Sequence, residues 1–199
     1  MRMFVALVPP DDAVEDLAEF LGPRQEAGGG LRWTVPEQWH VTLAFLGDVH
    51  DRHLDDLVER LGRAAARRTP VDLALAGAGA FPNPARAKVL WTGVDAGGDP
   101  TAEEEVRRMA TGARAAGAKS GAGEDGGRFH PHVTLARVGR PIEATRWLRV
   151  LDHYNGPVWP ADTWTLVESH LGEGPRRRPR YEVVETFPVG RAARTETPA

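Results

Sequence analysis

The chain has 199 residues, 41% of them hydrophobic and 27% charged, with 25 Lys and Arg against 28 Asp and Glu and a formal net charge of −3. That composition suits a globular protein with one sizeable core or two small lobes and excludes a fibre or a largely disordered chain. The charge excludes nucleic-acid binding through bulk positive charge, so any such contact must be local, and the lack of cysteine excludes disulfides, thiolate zinc sites and cysteine nucleophiles.

The apolar run at 3–8 predicts a buried strand that stops at Pro9-Pro10. It is too short for the core of a signal peptide, and no later stretch has the length of a membrane span, so the cytoplasm is the expected compartment. A helix follows, capped by Asp11 or Asp12, with Val14, Leu17, Ala18 and Leu21 on one face. Gly28-Gly29-Gly30 marks a loop, and residues 39–46 alternate as a strand. A second helix from about Asp51 buries Leu54, Leu57, Val58 and Leu61 at helical spacing. Residues 71–78 form another strand, ended by the turn Phe81-Pro82-Asn83-Pro84.

The order then repeats. Residues 88–94 read as a strand, and Thr101 with Glu104 has the form of a capping box. The helix it opens buries Val106, Met109, Ala110 and Ala113, a glycine-rich loop covers 117–127, and a strand covers 132–138. Residues 142–151 are the fourth helix, with Trp147 and Leu148 inward, and 163–171 and 181–189 form a closing hairpin. Residues 191–199 have no apolar pattern and read as a frayed tail. The expected fold is α+β: one bilobal domain over 1–190, an internal repeat of roughly 1–80 and 86–190, and mostly antiparallel strands.

The pentapeptide His-Val-Thr-Leu-Ala occurs at 40–44 and again at 132–136, each time on a strand after the first helix of its half. Alternation on a strand puts His40 and Thr42 on one face, about 7 Å apart, and Val41, Leu43 and Phe45 on the other. His132 and Thr134 share a face in the same way, opposite Val133 and Leu135. If the two copies face each other, two imidazoles and two hydroxyls converge. An imidazole titrates near pH 6.5, so one can act as a neutral base beside a cationic acid. That division suits the opening of a cyclic phosphodiester. One histidine deprotonates water, the other protonates the departing ribose oxygen, and the threonines hold the non-bridging oxygens, without a metal or cofactor.

With these residues the chain resembles the two-histidine phosphoesterase superfamily, and within it the RNA 2′,3′-cyclic phosphodiesterases, also called 2′-5′ RNA ligases. The likeness runs from Arg2-x-Phe4-Val-Ala-Leu through Arg32-Trp33 and His40-Val-Thr-Leu-Ala-Phe-Leu-Gly47 to Phe129-His-Pro-His-Val-Thr-Leu-Ala-Arg137 and Tyr181-Glu-Val-Val-Glu-Thr-Phe-Pro. The resemblance implies two sheets related by a pseudo-twofold, helices outside and a cleft between. It implies hydrolysis of terminal 2′,3′-cyclic phosphates to 2′-phosphates, with reverse ligation in some members, on RNA 3′ ends or nucleotides carrying that group. It also implies His40 as proton donor and His132 as proton acceptor, an assignment the residues themselves leave open. No obligate protein partner is indicated, and a monomer is the default.

Other readings stand beside this one. His130-x-His132 has the spacing of a metal-ligand pair, but His40 would need to join it and no convincing carboxylate ligand lies nearby in sequence. Gly121-x-Gly123-x-x-Gly126 matches a dinucleotide fingerprint only as text, since it follows a helix and precedes a strand. Arg176-Arg177-Arg178 and Arg180 are either a phosphate contact or a solvated loop tip. Arg137 is carried as a substrate-binding candidate, although strict alternation points it away from the phosphate unless the strand twists at its end. Trp33 and Phe129 are read as packing residues that could stack on a base. His50, His53, His153 and His170 have no partner pattern and read as surface or packing residues. A binding module using the same cleft without turnover is the alternative function, although binding alone requires no pair of intact histidines.

Overall fold

The computed structural model describes residues 1–27, 29–123 and 127–190. The tail expected at 191–199 and part of the Gly121–Gly126 text match lie outside them. Thirteen elements follow one another: β1 (Arg2–Leu7), α1 (Asp11–Ala27), β2 (Arg32–Trp33), β3 (Val41–Asp48), α2 (Leu54–Ala65), β4 (Val71–Phe81), β5 (Ala87–Asp95), α3 (Pro100–Lys119), β6 (His132–Ile142), α4 (Thr145–Leu151), β7 (Trp159–Ala161), β8 (Thr163–His170) and β9 (Arg180–Pro188).

Two antiparallel sheets result, ordered β3-β1-β8-β9 and β2-β6-β5-β4-β7. Strand order shows which stretches of the chain build each sheet. In the first half β1 pairs with β3, and β4 crosses to lie beside β5 of the second half. In the second half β5 pairs with β6, and β8 crosses to lie beside β1. The elements β1-α1-β3-α2-β4 and β5-α3-β6-α4-β8 follow the same order, with β2, β7 and β9 outside it, and each sheet takes strands from both stretches. The helices cross as well. Tyr154, beside β4, donates its hydroxyl to Asp16 of α1 at 2.8 Å, whereas α3 packs on β3. This exchange ties the two sheets together at several points, so the cleft between them is not a loose hinge.

Period-two patterning decides what each face does. Met3, Val5 and Leu7 of β1 enter the main core with Leu17 and Leu21 of α1 and Leu57 and Leu61 of α2. Phe4 and Ala6 turn to the opposite face, where Val167 and Tyr181 meet them in a second small cluster. That second face is the cleft. No helix among the described residues is long and apolar enough to cross a membrane.

Several features differ from the sequence expectation. Asp99, not Thr101, caps α3: its carboxylate accepts the Thr101 N–H at 2.8 Å, with Pro100 as the first helical residue. The fourth helix starts at Thr145 rather than 142, because β6 continues to Ile142, which pairs with Ala87. The short strands β2 and β7 carry too few residues for a period to show in sequence.

Candidate active site

Each histidine is aimed by the chain just before its strand. Trp39 is buried and donates its indole N–H to Thr34 Oγ1 at 2.8 Å, fixing the turn at Pro36–Gln38 that delivers His40 to the head of β3. The His40 Nδ1 lies 2.7 Å from the Gln38 carbonyl oxygen. His132 opens β6, and its Nδ1 lies 2.7 Å from the His130 carbonyl oxygen. A carbonyl oxygen can only accept, so Nδ1 carries the proton in both rings and Nε2 is the nitrogen left for a ligand. The repeat thus extends to the tautomer of its two key residues.

His40, Thr42, His132 and Thr134 line one cavity of about 1160 Å³, and the charge of His132 is felt at His40 across it. The convergence that the duplicated pentapeptide predicts is therefore present. Two further side chains join it, contrary to strict alternation. Between Ala6↔Thr42 and Val5↔Ala44 the register advances one residue on β1 and two on β3, so Leu43 is an extra residue. Between Trp91↔Thr134 and Leu90↔Ala136 the same happens at Leu135. Each bulge switches the parity of its strand, and Phe45 and Arg137 swing onto the histidine face and line the cavity. Phe45 does not pack on the helices as alternation requires; it is 47% exposed. The sequence did hold a signal: Leu43-Ala44 and Leu135-Ala136 are adjacent apolar pairs, both buried, which an unbroken strand cannot place on one face.

Aromatic rings hold both imidazoles. Phe4 stacks on His40 with centroids 4.5 Å apart, and Tyr181 meets His40 edge-on at 5.4 Å. Phe81 meets His132 edge-on at 4.9 Å, and Trp91 lies 6.0 Å from it and 4.6 Å from His130. Trp91 occupies the space over its cross-strand partner Gly79, where an added Cβ would stand 2.1 Å from its ring. Gly79→Ala is accordingly expected to cost about 1–3 kcal/mol of stability by overpacking and to lower kcat by displacing the ring behind His130 and His132. Urea unfolding and steady-state kinetics check this; unchanged stability would show that Trp91 is free to move.

Comparison with known proteins fits this geometry. The family model described as LigT like Phosphoesterase matches residues 7–91. An RNA 2′,3′-cyclic phosphodiesterase of Thermus thermophilus is 31% identical over 194 residues, covering 94% of this chain and 89% of that protein. The chain belongs to the LigT-like phosphoesterases. An enzyme of the same name from Geobacillus stearothermophilus is 29% identical across 94% of this chain, which spans only 56% of that longer protein. The crystal structure of the Thermus thermophilus protein TT0787 superposes with a TM-score of 0.75 at 30% identity, covering 96% of this chain and all of that one. Family and fold thus agree with the resemblance carried by the motifs.

In this LigT-like phosphoesterase, burial pushes the His40 imidazole down from 6.5 to about 4, against the raising effect of the Gln38 carbonyl and with help from the charges of His132 and Arg137. Burial also lowers His132, opposed by the His130 carbonyl and assisted by His130 and Arg137. Arg137 is felt at Tyr181 as well, which places its charge centrally in the cleft. The remaining candidates divide. Trp33 lines the cavity while resting edge-on against Trp147, and Phe129 packs against the core. His130 leans on Trp91 and Phe81, and no group of three or more His, Asp or Glu side chains among the described residues is arranged to hold a metal. His50 and His53 lie 6.4 Å apart away from the cavity, and His153 is exposed. His170 is not partnerless: Glu168, Glu173 and Glu182 surround it at 3.3–3.7 Å. Arg176, Arg177 and Arg178 line the cavity, whereas Arg180 pairs with Glu173 and Glu182 outside it. Sequence reading passed over Phe4, Phe81 and Tyr181 as supports for the histidines, because ring-to-ring contact between distant strands has no local pattern.

Proposed function

We propose that this chain is an RNA 2′,3′-cyclic phosphodiesterase that opens terminal cyclic phosphates to 2′-phosphomonoesters, with His40 as proton donor and His132 as proton acceptor. The observation that carries this reading is a pair of Nε2 atoms, each left available by a carbonyl-bound Nδ1, in one cavity that also holds Thr42, Thr134 and Arg137. The names of the Thermus and Geobacillus relatives support the substrate class.

Water attacks phosphorus from the His132 side and loses a proton to His132 Nε2 as the new P–O bond forms. The bond from phosphorus to the ribose 3′ oxygen breaks, and His40 Nε2 gives that oxygen its proton. Thr42, Thr134 and Arg137 bind the non-bridging oxygens as charge builds on them. An imidazolium in the position of His40 is costly in the empty cleft, which makes it a strong acid once it forms. The phosphate's negative charge favours the cation, so proton and substrate are taken up together. Phe45, projecting into the same cavity, offers a face on which the base can stack. With the 5′ hydroxyl of a second RNA end attacking in place of water, the same two roles give 2′-5′ ligation.

Lowered values for both imidazoles fix the sign of the pH dependence. One ring must be protonated and the other neutral, and in the free enzyme both lose their protons below 6.5. The alkaline limb of kcat/KM is therefore expected below pH 6.5. The limb of kcat should lie higher, because the bound anion holds the proton. A kcat/KM limb above 6.5 would contradict burial as the dominant influence. The reading as a whole is tested by hydrolysis of adenosine 2′,3′-cyclic phosphate in excess chelator. Its expected product is the 2′-phosphate; a 3′-phosphate product, or turnover abolished by chelator, would count against it.

A further inference from the structure

The cavity is larger and more basic than one cyclic phosphate requires. At about 1160 Å³ it exceeds the usual span of small-ligand sites, about 300–1,000 Å³. Arg2, Arg32, Arg137, Arg176, Arg177 and Arg178 line it, and no Asp or Glu among the described residues does. Within a chain of net charge −3, that is a marked local separation of charge. Arg137 serves the phosphate at the histidines, which leaves most of this charge without a task there.

The turn between β8 and β9 is built to hold part of it. Arg176 and Arg177 both take left-handed backbone angles, with φ of 54° and 59°, a conformation that non-glycine residues adopt at a cost and that recurs at ligand sites. The turn is braced on several sides. Gly174 N–H donates to the Arg178 carbonyl at 2.8 Å, and Arg180 pairs with Glu173 and Glu182 at 3.1 and 3.0 Å. Two contacts lock it to the segment that aims His40: the Gln38 amide donates to the Pro179 carbonyl, and the Arg178 guanidinium to the Trp33 carbonyl, both at 3.1 Å. Arg178 is thus a strut. Arg176 and Arg177 have neither an ion pair nor a side-chain hydrogen bond among the described residues, although carboxylates stand close by in the same hairpin.

We propose that Arg176 and Arg177 form a second phosphate subsite that binds an internucleotide phosphodiester next to the terminal nucleotide. The preferred substrate is then an RNA chain ending in a cyclic phosphate rather than a free cyclic nucleotide. This rests on the phosphodiesterase reading above. The subsite reads backbone charge and not base identity, so it adds affinity for any sequence and makes binding dependent on salt.

The test compares adenosine 2′,3′-cyclic phosphate with a tetraribonucleotide ending in a 2′,3′-cyclic phosphate. The variant is Arg176→Gly/Arg177→Gly, because glycine accepts the left-handed angles and keeps the turn. Expected is a loss of about tenfold or more in kcat/KM for the tetranucleotide, with little change for the mononucleotide. Binding of a tetranucleotide ending in a 2′-phosphate, followed by anisotropy, should lose about 0.7 of its log–log salt slope per phosphate contact removed, and Arg176→Lys/Arg177→Lys should retain most of that slope. Equal losses on both substrates, or an unchanged tetranucleotide with an unchanged salt slope, would overturn the subsite. A loss confined to a cyclic nucleotide carrying a 5′-diphosphate, with the tetranucleotide unaffected, would overturn the chain in favour of one nucleotide's own phosphates. Should the parent enzyme turn over neither substrate, the phosphodiesterase reading fails, and the anisotropy measurement still decides the subsite alone.

Discussion

Alanine at either His40 or His132 is expected to lower kcat for a 2′,3′-cyclic nucleotide by about 10²–10⁴-fold, the usual worth of one general acid or base. The double variant should fall little further, because removing either partner already leaves the proton path broken. Loss of structure does not predict this pattern. His132 is half-buried at a strand end, and its removal leaves the packing of Val133, Leu135 and Ala136 intact. His40 is more exposed to a structural objection, since it stacks on Phe4 at 4.5 Å. His40→Asn retains a planar group in that space and should be as inactive as alanine, with a thermal midpoint close to the parent's. Two single losses that multiply in the double variant would mean that the histidines act independently.

Arg137→Met is expected to reduce kcat by about 10²–10³-fold, the range found when one preorganised donor to a developing oxyanion is removed. It has a second readout that a structural role would not give. The Arg137 charge lowers both imidazoles, so its removal should move the alkaline limb of kcat/KM to higher pH even as the rate drops. Arg137→Lys keeps the charge but not the two-pronged donor geometry, and should leave the limb in place while recovering part of the rate. A methionine variant with the parental pH profile would place the guanidinium outside the cleft. The same strand position in the other repeat is Phe45, so the two walls differ at the point where they face the ligand: one presents a cation and the other a ring. On the proposed function, that asymmetry gives a nucleotide one preferred direction between the two walls.

Much of this site was legible in the sequence, and particular residues show why the rest was not. The duplicated His-Val-Thr-Leu-Ala fixed which four polar groups share a face, because side-chain alternation is local and needs only the strand. The fate of Phe45 and Arg137 depended on bulges at Leu43 and Leu135, which are properties of pairing with β1 and β5 and not of the strand alone. The crossing of β4 and β8 between sheets was hidden for the same reason: a strand's sequence states that it pairs, not with whom. Asp99 displaced Thr101 as the cap of α3 because Pro100 sets the first helical residue, a point that the Thr101/Glu104 spacing obscured. The ion-paired setting of His170 and the bracing of the Arg176–Arg177 turn by Gln38 and Trp33 both join segments far apart in the chain, where no motif reaches.

Catalysis of this kind depends on both imidazoles meeting a single phosphate, and histidine titration by NMR with and without adenosine 2′-phosphate tests this most directly. One equivalent of the nucleotide is predicted to raise both the His40 and the His132 pKa, each reported by its own ring signals. A nucleotide that shifts one of the two rings and leaves the other as it was would contradict it.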